Sequence, residues 1–230
     1  MDVTQLSENT ILVLFEQTIA LSVSKEVFIF ASQVEANFQA LLIDIVPSYC
    51  SVHLTFDLGK ISGVDFIKQL YELDALLGVK DVNLHREQKR VKVPVYYGSE
   101  VGFDLGNVAK ASSLSIEQVI EVHSRQVYDA YAVGFAPGFA YLGIVDERIA
   151  TPRKKTPRQF IPAGSLGIAD QQTAIYPSIS PGGWQIIGRT PKNMVDFSDN
   201  TNTPTLINVG DQVQFIPVSK REYLKMGGEL

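Results

Sequence analysis

The amino-acid sequence predicts two domains: an α+β N-terminal domain in the ferredoxin-like order β-α-β-β-α-β over residues 1–88, then a domain with the rhythm of a β-barrel or sandwich over residues 89–230. Three observations carry this prediction. Strand and helix periodicities alternate as far as about residue 86. Short strands between glycine and proline turns replace them after residue 126. A charged link, REQKRVK at residues 86–92, marks the boundary.

Residues 10–15 (TILVLF) form a β-rich apolar run. Behind Ser24 as a candidate N-cap, Val27, Phe30, Ala31, Val34 and Phe38 recur at helical spacing. Residues 41–46 and 51–56 read as two strands joined by a turn short enough for antiparallel pairing. Ser62 with Asp65 resembles a capping box. Phe66, Ile67, Leu70, Leu73 and Leu77 then line one helix face until Gly78, and residues 79–85 supply a last strand. In the second domain residues 91–97 form a strand that Pro94 assigns to an edge or a strand start. A short helix follows at 104–112, and the Ser115–Gln118 capping box opens another that runs to about 124. Strands are expected at 127–135, 165–169, 173–176, 184–187 and 212–218, and Ser219 with Glu222 caps a brief final helix.

The composition is that of a globular protein, with 45% hydrophobic and 20% charged residues. No run of about eighteen apolar residues suggests a membrane span, and the acidic Met1-Asp2 start does not read as a signal peptide, so a cytoplasmic protein is expected. A net charge of −5 argues against non-specific nucleic-acid binding. With Cys50 the only cysteine and His53, His85 and His123 far apart, the sequence carries no metal motif. His53 reads as a residue on the polar side of a strand, and Cys50 as a packing residue beside a turn.

Residues 134–190 hold eight of the seventeen glycines, six of the eleven prolines and the only tryptophan, Trp184, so this stretch is shaping turns into a surface. Residues 183–190 (GWQIIGRT) have Walker A spacing, but Arg189 stands where lysine is required and Pro191 follows in place of a helix, so no P-loop is assigned. Residues 163–167 (AGSLG) come close to a nucleophile elbow, yet Ala163 replaces the first glycine, and Ser165 reads first as a hydrogen-bonding turn residue. Arg148, Arg153, Lys154, Lys155 and Arg158 form a basic run, which is either a solvated loop or a site for an anion. His123 ends a helix just before this stretch, where it either meets the helix dipole or serves in proton transfer.

The segments at residues 123–124 (HS), 134–143 (GFAPGFAYLG), 151–153 (TPR), 156–158 (TPR), 161–169 (IPAGSLGIA), 172–173 (QT), 175–177 (IYP) and 180–191 (SPGGWQIIGRTP) resemble the allophanate hydrolase subunit 1 family. Residues 46–52 (VPSYCSV) extend the resemblance to the first domain. Ile144, Asp170 and Ala174 depart from the family's usual residues at loop positions. The resemblance implies a cyclophilin-like β-barrel for the second domain. Its 5-oxoprolinase branch implies one component of a hetero-oligomer, the B type, that works with an A-type partner and a cyclophilin-like C-type partner. Together they couple ATP hydrolysis to opening of the 5-oxoproline lactam. The sequence has no ATP motif of its own, so ATP is expected to be held mainly by a partner or across the interface with it. A kinase-inhibitor branch, which docks on a histidine kinase, and urea-processing amide hydrolases are the alternatives. On the enzyme reading, Arg153 and Arg158 are expected to bind anions and His123 to move a proton. Ser165, Gln172 and Tyr176 would orient polar groups, and Phe139 and Trp184 would form an apolar wall.

Overall fold

The computed structural model describes residues 1–79, 89–198 and 204–230. They belong to two compact units, Met1–Glu87 and Gln88–Leu230.

The first unit runs β1 (Asp2–Gln5), β2 (Thr10–Leu14), α1 (Leu21–Phe38), β3 (Leu42–Ser48), β4 (Ser51–Phe56) and α2 (Gly63–Val79). Its antiparallel sheet has the order β1-β2-β4-β3, with Leu12 opposite His53 and His53 opposite Val46. Alternation turns Ile11, Val13, Val52, Leu54 and Phe56 to one face, where they meet Val27, Phe30, Val34, Phe66 and Leu70 of the helices.

Three details differ from the sequence reading. Helix α1 begins a turn earlier than expected, with Ala20 at the N-cap and the Ser24 N–H donating to the Ala20 carbonyl from inside the first turn. The edge position beside β2 is filled by β1, a polar DVTQ strand with no apolar alternation to announce it. Val79 is helical, and the rest of the strand expected at 79–85, His85 included, lies outside the described residues.

The second unit contains β5 (Arg90–Val95), α3 (Leu105–Ser112), α4 (Ile116–Arg125), β6 (Val127–Val133), β7 (Ala140–Gly143), β8 (Arg158–Ile161), β9 (Ser165–Ala169), β10 (Gln172–Ile175), β11 (Ser180–Gly182), β12 (Gln185–Arg189), β13 (Gln212–Pro217) and α5 (Lys220–Lys225). Seven strands make one sheet in the order β12-β9-β10-β7-β6-β13-β5. Tyr96, just past β5, exchanges two backbone hydrogen bonds of 2.9 Å with Arg189 of β12, so the sheet curls into a nearly closed barrel. The β5·β13 pair is parallel and the other pairs are antiparallel, while β8 and β11 form a separate two-stranded ribbon. Pro94 lies in β5 at the end of this order, where a residue without an N–H is tolerated.

Strand alternation divides the core of this unit in two. Leu166, Ile168, Ile175 and Ile187 join Val93, Phe215 and the α3–α4 residues Leu105, Val108 and Val119. On the opposite face Ala169, Ala174, Tyr176 and Ile186 join Phe139, Ile161 and Trp184. Both faces of β9 are covered, and all five of its residues are buried.

Candidate functional site

The second, smaller cluster is aromatic and centres on Phe139. Its ring makes edge-on contacts with Phe135, Tyr141, Tyr176 and Trp184 at centroid distances of 5.2, 4.9, 5.3 and 5.6 Å. Phe139, Tyr176 and Trp184 are buried, whereas Phe135 stands 65% exposed on the rim. A tight loop presents Phe135, closed by the Gly134 N–H on the Phe139 carbonyl and the Phe139 N–H on the Ala136 carbonyl, each at 3.0 Å. The φ of Phe135 is +73°, a left-handed conformation that costs a residue with a Cβ about 1–2 kcal/mol. This reversal ends β6 at Val133, two residues short of the expected strand. Burial raises the Tyr176 hydroxyl to about 12, so it remains protonated at neutral pH, with the Trp184 backbone N–H bonded to it.

Two of the expected anion-binding arginines have different surroundings. The exposed Arg153 lies over the Trp184 indole, 5.8 Å from its centroid, and has no ion pair among the described residues. Arg158 grips Asp104 with both terminal nitrogens at 2.6 and 2.8 Å, and Lys154 Nζ reaches the same carboxylate at 2.9 Å. Asp104 is fully buried and also accepts the Ile186 N–H at 2.8 Å. Burial pushes its pKa up, but the Arg158, Ile186 and Lys154 donors outweigh burial and hold it below the ordinary carboxylate value. Asp104 was legible in the sequence only as the start of a helix. No spacing signal ties it to cations fifty residues away.

His123 was expected to reach the glycine-rich surface, and the structure corrects this. The ring is fully buried on the inward side of α4, stacked on Phe215 at 4.9 Å. Thr173 Oγ1 donates to the Gly167 carbonyl at 3.0 Å and therefore accepts from His123 Nε2, also at 3.0 Å. That assigns Nδ1 as the acceptor for the Tyr97 hydroxyl at 2.9 Å. Burial lowers the imidazole pKa to about 3. Because Thr173 points to the face of β10 opposite Ala174 and Tyr176, the strand itself stands between His123 and the aromatic cluster.

Ser165 is buried beside Gly164, and its Oγ has no hydrogen-bond partner among the described residues, so no base touches it. Gln172 is half-buried at the start of β10, on the same face as Tyr176 but about 13 Å along the strand by ordinary strand rise. The structure thus brings Phe139, Tyr176, Trp184 and Arg153 together, tethers Arg158 behind them, and sets His123 and Gln172 apart. Arg189 of the Walker-like segment is engaged too, donating to the carbonyls of Ala163 and Glu229 at 2.8 and 2.9 Å. Among the described residues no cluster of three or more His, Cys, Asp or Glu side chains could hold a metal ion, and no helix is long and apolar enough to cross a membrane.

A nearly closed barrel, with a buried aromatic cluster beside a basic loop, follows a smaller α+β unit in the chain, and this arrangement defines the class. The chain belongs to the carboxyltransferase domain family, subdomains C and D, whose model matches residues 1–207. Within that class it is 37% identical over 228 residues to the B subunit of 5-oxoprolinase from Bacillus subtilis (strain 168), covering 95% of this chain and 93% of that protein. It is 36% identical over 219 residues to the protein of the same name from Haemophilus influenzae, covering 94% and 97%. The resemblance carried by residues 123–191 is therefore borne out at the level of family. Among solved structures, the crystal structure of TTHA0988 matches with a TM-score of 0.79 and 30% identity, over 93% of this chain and 40% of that one.

Proposed function

We propose that this chain is the B-type component of an ATP-dependent 5-oxoprolinase, with a cyclophilin-like barrel, acting in the cytoplasm with A-type and C-type partners to open the 5-oxoproline lactam to glutamate. The observation that carries this reading is the 37% identity to a 5-oxoprolinase B subunit along nearly the whole of both chains. ATP transfers its terminal phosphoryl group to the lactam carbonyl oxygen and leaves as ADP; water then adds to the carbon, the ring C–N bond breaks with a proton passing to nitrogen, and a second water releases phosphate from the resulting acyl phosphate to give glutamate. This chain's share is to bind and orient. The buried Phe139, Tyr176 and Trp184 cluster backs the exposed Phe135 and Arg153, which would meet a small planar ligand at its rim, where the Arg153 guanidinium offers a planar fork to the ligand's carboxylate.

Arg158 and His123 take supporting roles in this proposal. Arg158 acts through Asp104, and the neutral His123 fixes β10 through Thr173. Ser165 and Gln172 remain candidates for polar orientation.

The test is reconstitution with the A-type and C-type partners and measurement of 5-oxoproline-dependent ADP release. Arg153→Gln is expected to lower kcat/KM for 5-oxoproline by about tenfold or more, mainly through KM, since a charge-assisted hydrogen bond is worth about 1.5–3 kcal/mol. An Arg153→Gln complex with unchanged kcat/KM would remove Arg153 from the site. A reconstituted complex without 5-oxoproline-dependent turnover would sink the functional reading.

A further inference from the structure

Three hydrogen bonds hold the chain on either side of Arg153. Gln185 Nε2 donates to the Pro152 carbonyl at 2.9 Å, the Lys154 N–H donates to the Gly183 carbonyl at 2.7 Å, and Lys154 Nζ donates to Asp104 Oδ1 at 2.9 Å. The first two end on the residues that flank Trp184, so the loop is set down beside the indole that the Arg153 guanidinium covers. The third ends on a carboxylate that is itself fixed to β12. The Asp104 N–H donates to the Ile186 carbonyl at 2.7 Å, and Asp104 Oδ2 accepts the Ile186 N–H at 2.8 Å.

Asp104 has no capacity left for a ligand. Its Oδ1 accepts from Lys154 Nζ and Arg158 Nη2, and its Oδ2 from Arg158 Nη1 and the Ile186 N–H. These donors fill the roughly four lone-pair sites of a carboxylate, and full burial keeps the group from meeting a ligand directly. A buried ion cluster is weak ground for stability, because apolar side chains of similar volume often serve as well; its better-attested use is to fix one arrangement of the chain. Here the cluster takes up Lys154 and Arg158 and leaves Arg153, which has no ion pair among the described residues, with its charge uncompensated.

We infer that Asp104 is a positioning residue for Arg153: through Lys154 it holds the loop so that the Arg153 guanidinium stays over Trp184, set for the carboxylate of the ligand. That Arg153 binds such a carboxylate rests on the functional reading above. That Asp104 sets Arg153 stands on the geometry of this chain. Fixing a cation before the ligand arrives removes its ordering cost from binding, so loosening the brace is felt in KM rather than in the chemical step.

Trp184 is the only tryptophan, so its emission reads the Arg153–indole contact in the full chain alone. Lys154→Gln removes one tie while Arg158 keeps Asp104 paired, and Asp104→Asn removes the brace itself. Both are expected to shift Trp184 emission in the direction that Arg153→Gln shifts it, and to add no further shift in an Arg153→Gln background. Lys154→Gln carries the test should Asp104→Asn not fold. Lys154→Arg, which keeps a cation for the carboxylate, and Lys155→Gln, which removes an exposed neighbouring charge, are expected to keep the wild-type emission. Additive shifts in the double variants, an equal shift in Lys155→Gln, or wild-type emission in Lys154→Gln would overturn the inference. Unchanged emission in Arg153→Gln would overturn it as well, since the guanidinium would then not be held on the indole. In the reconstituted complex Lys154→Gln is expected to raise KM for 5-oxoproline about threefold or more, with kcat within about twofold, and to add nothing to Arg153→Gln. A loss of kcat at unchanged KM would overturn the positioning role. Coupled emission shifts without 5-oxoproline turnover by the wild-type complex would keep Asp104 as the brace of Arg153 and reject the function, and turnover with uncoupled emission would do the opposite.

Discussion

His123 illustrates what a position in sequence can and cannot disclose. Its place at the end of a capped helix was legible, but the face of the helix it occupies decides its chemistry, and that face packs inward against Phe215. Its pKa in the fold, about 3, lies below the ordinary value of 6.5, so folding favours the neutral ring. The resulting stability is complete above about pH 6.5 and is lost as pH falls toward 3, on the order of 3 kcal/mol by pH ~4. Denaturant unfolding as a function of pH is expected to show this loss, and His123→Gln, which keeps a donor and an acceptor but cannot titrate, should remove most of it. Asp104 is the complementary case, since its partners are distant in sequence and only the folded chain reveals them. Asp104→Asn leaves Lys154 and Arg158 facing a neutral amide and is expected to cost about 3 kcal/mol, the lower end for a broken buried pair because both cations are a quarter exposed. The urea midpoint measures it. Wild-type stability from this carboxylate is present above the ordinary Asp pKa and fades as pH drops through its lower folded value.

At the scale of elements, legibility followed the range of the interactions that form each one. The capping boxes at Ser115–Gln118 and Ser219–Glu222 close within four residues, and both helices begin where the sequence indicates. Strands β9 and β13 were visible because their apolar alternation is regular. Strands β7, β8 and β11 are only three or four residues long, β7 ends on glycine and β11 carries proline and glycine, and β8 and β11 exist through pairing with each other across the β9–β10 hairpin. The elbow-like AGSLG segment proves to be the turn that sends β8 into β9. There Gly164 has φ +80°, and a Cβ added to it would lie 2.4 Å from the Thr190 carbonyl oxygen. Neither the backbone conformation nor this neighbour can give way easily, so Gly164→Ala is expected to destabilise the protein by about 2–3 kcal/mol, read as a lowered thermal midpoint. The aromatic cluster was legible as residue types, since Phe139, Tyr176 and Trp184 do converge. Phe135 was missed as a member because its exposure comes from one left-handed residue inside what reads as a strand.

For the whole molecule, each unit has its own apolar core, one built on Ile11, Phe30, Leu54 and Phe66 and the other on Val93, Tyr128, Leu166 and Phe215. A fragment from Gln88 to Leu230 is therefore expected to unfold in a single cooperative transition followed by Trp184 emission, and a broad, non-cooperative change would argue that its core is incomplete. The seam of the barrel bears on how this chain is made. Strand β5 at Arg90–Val95 finds its strand partner in β13 at Gln212–Pro217, more than a hundred residues later, whereas among the described residues the strands of the first unit pair within residues 2–56. During synthesis the first unit can complete its sheet early, while β5 has to wait with an unpaired edge until Pro217 leaves the ribosome. A ribosome stalled before β13 would therefore carry a first unit with its β1–β4 sheet paired and an open, aggregation-prone second one.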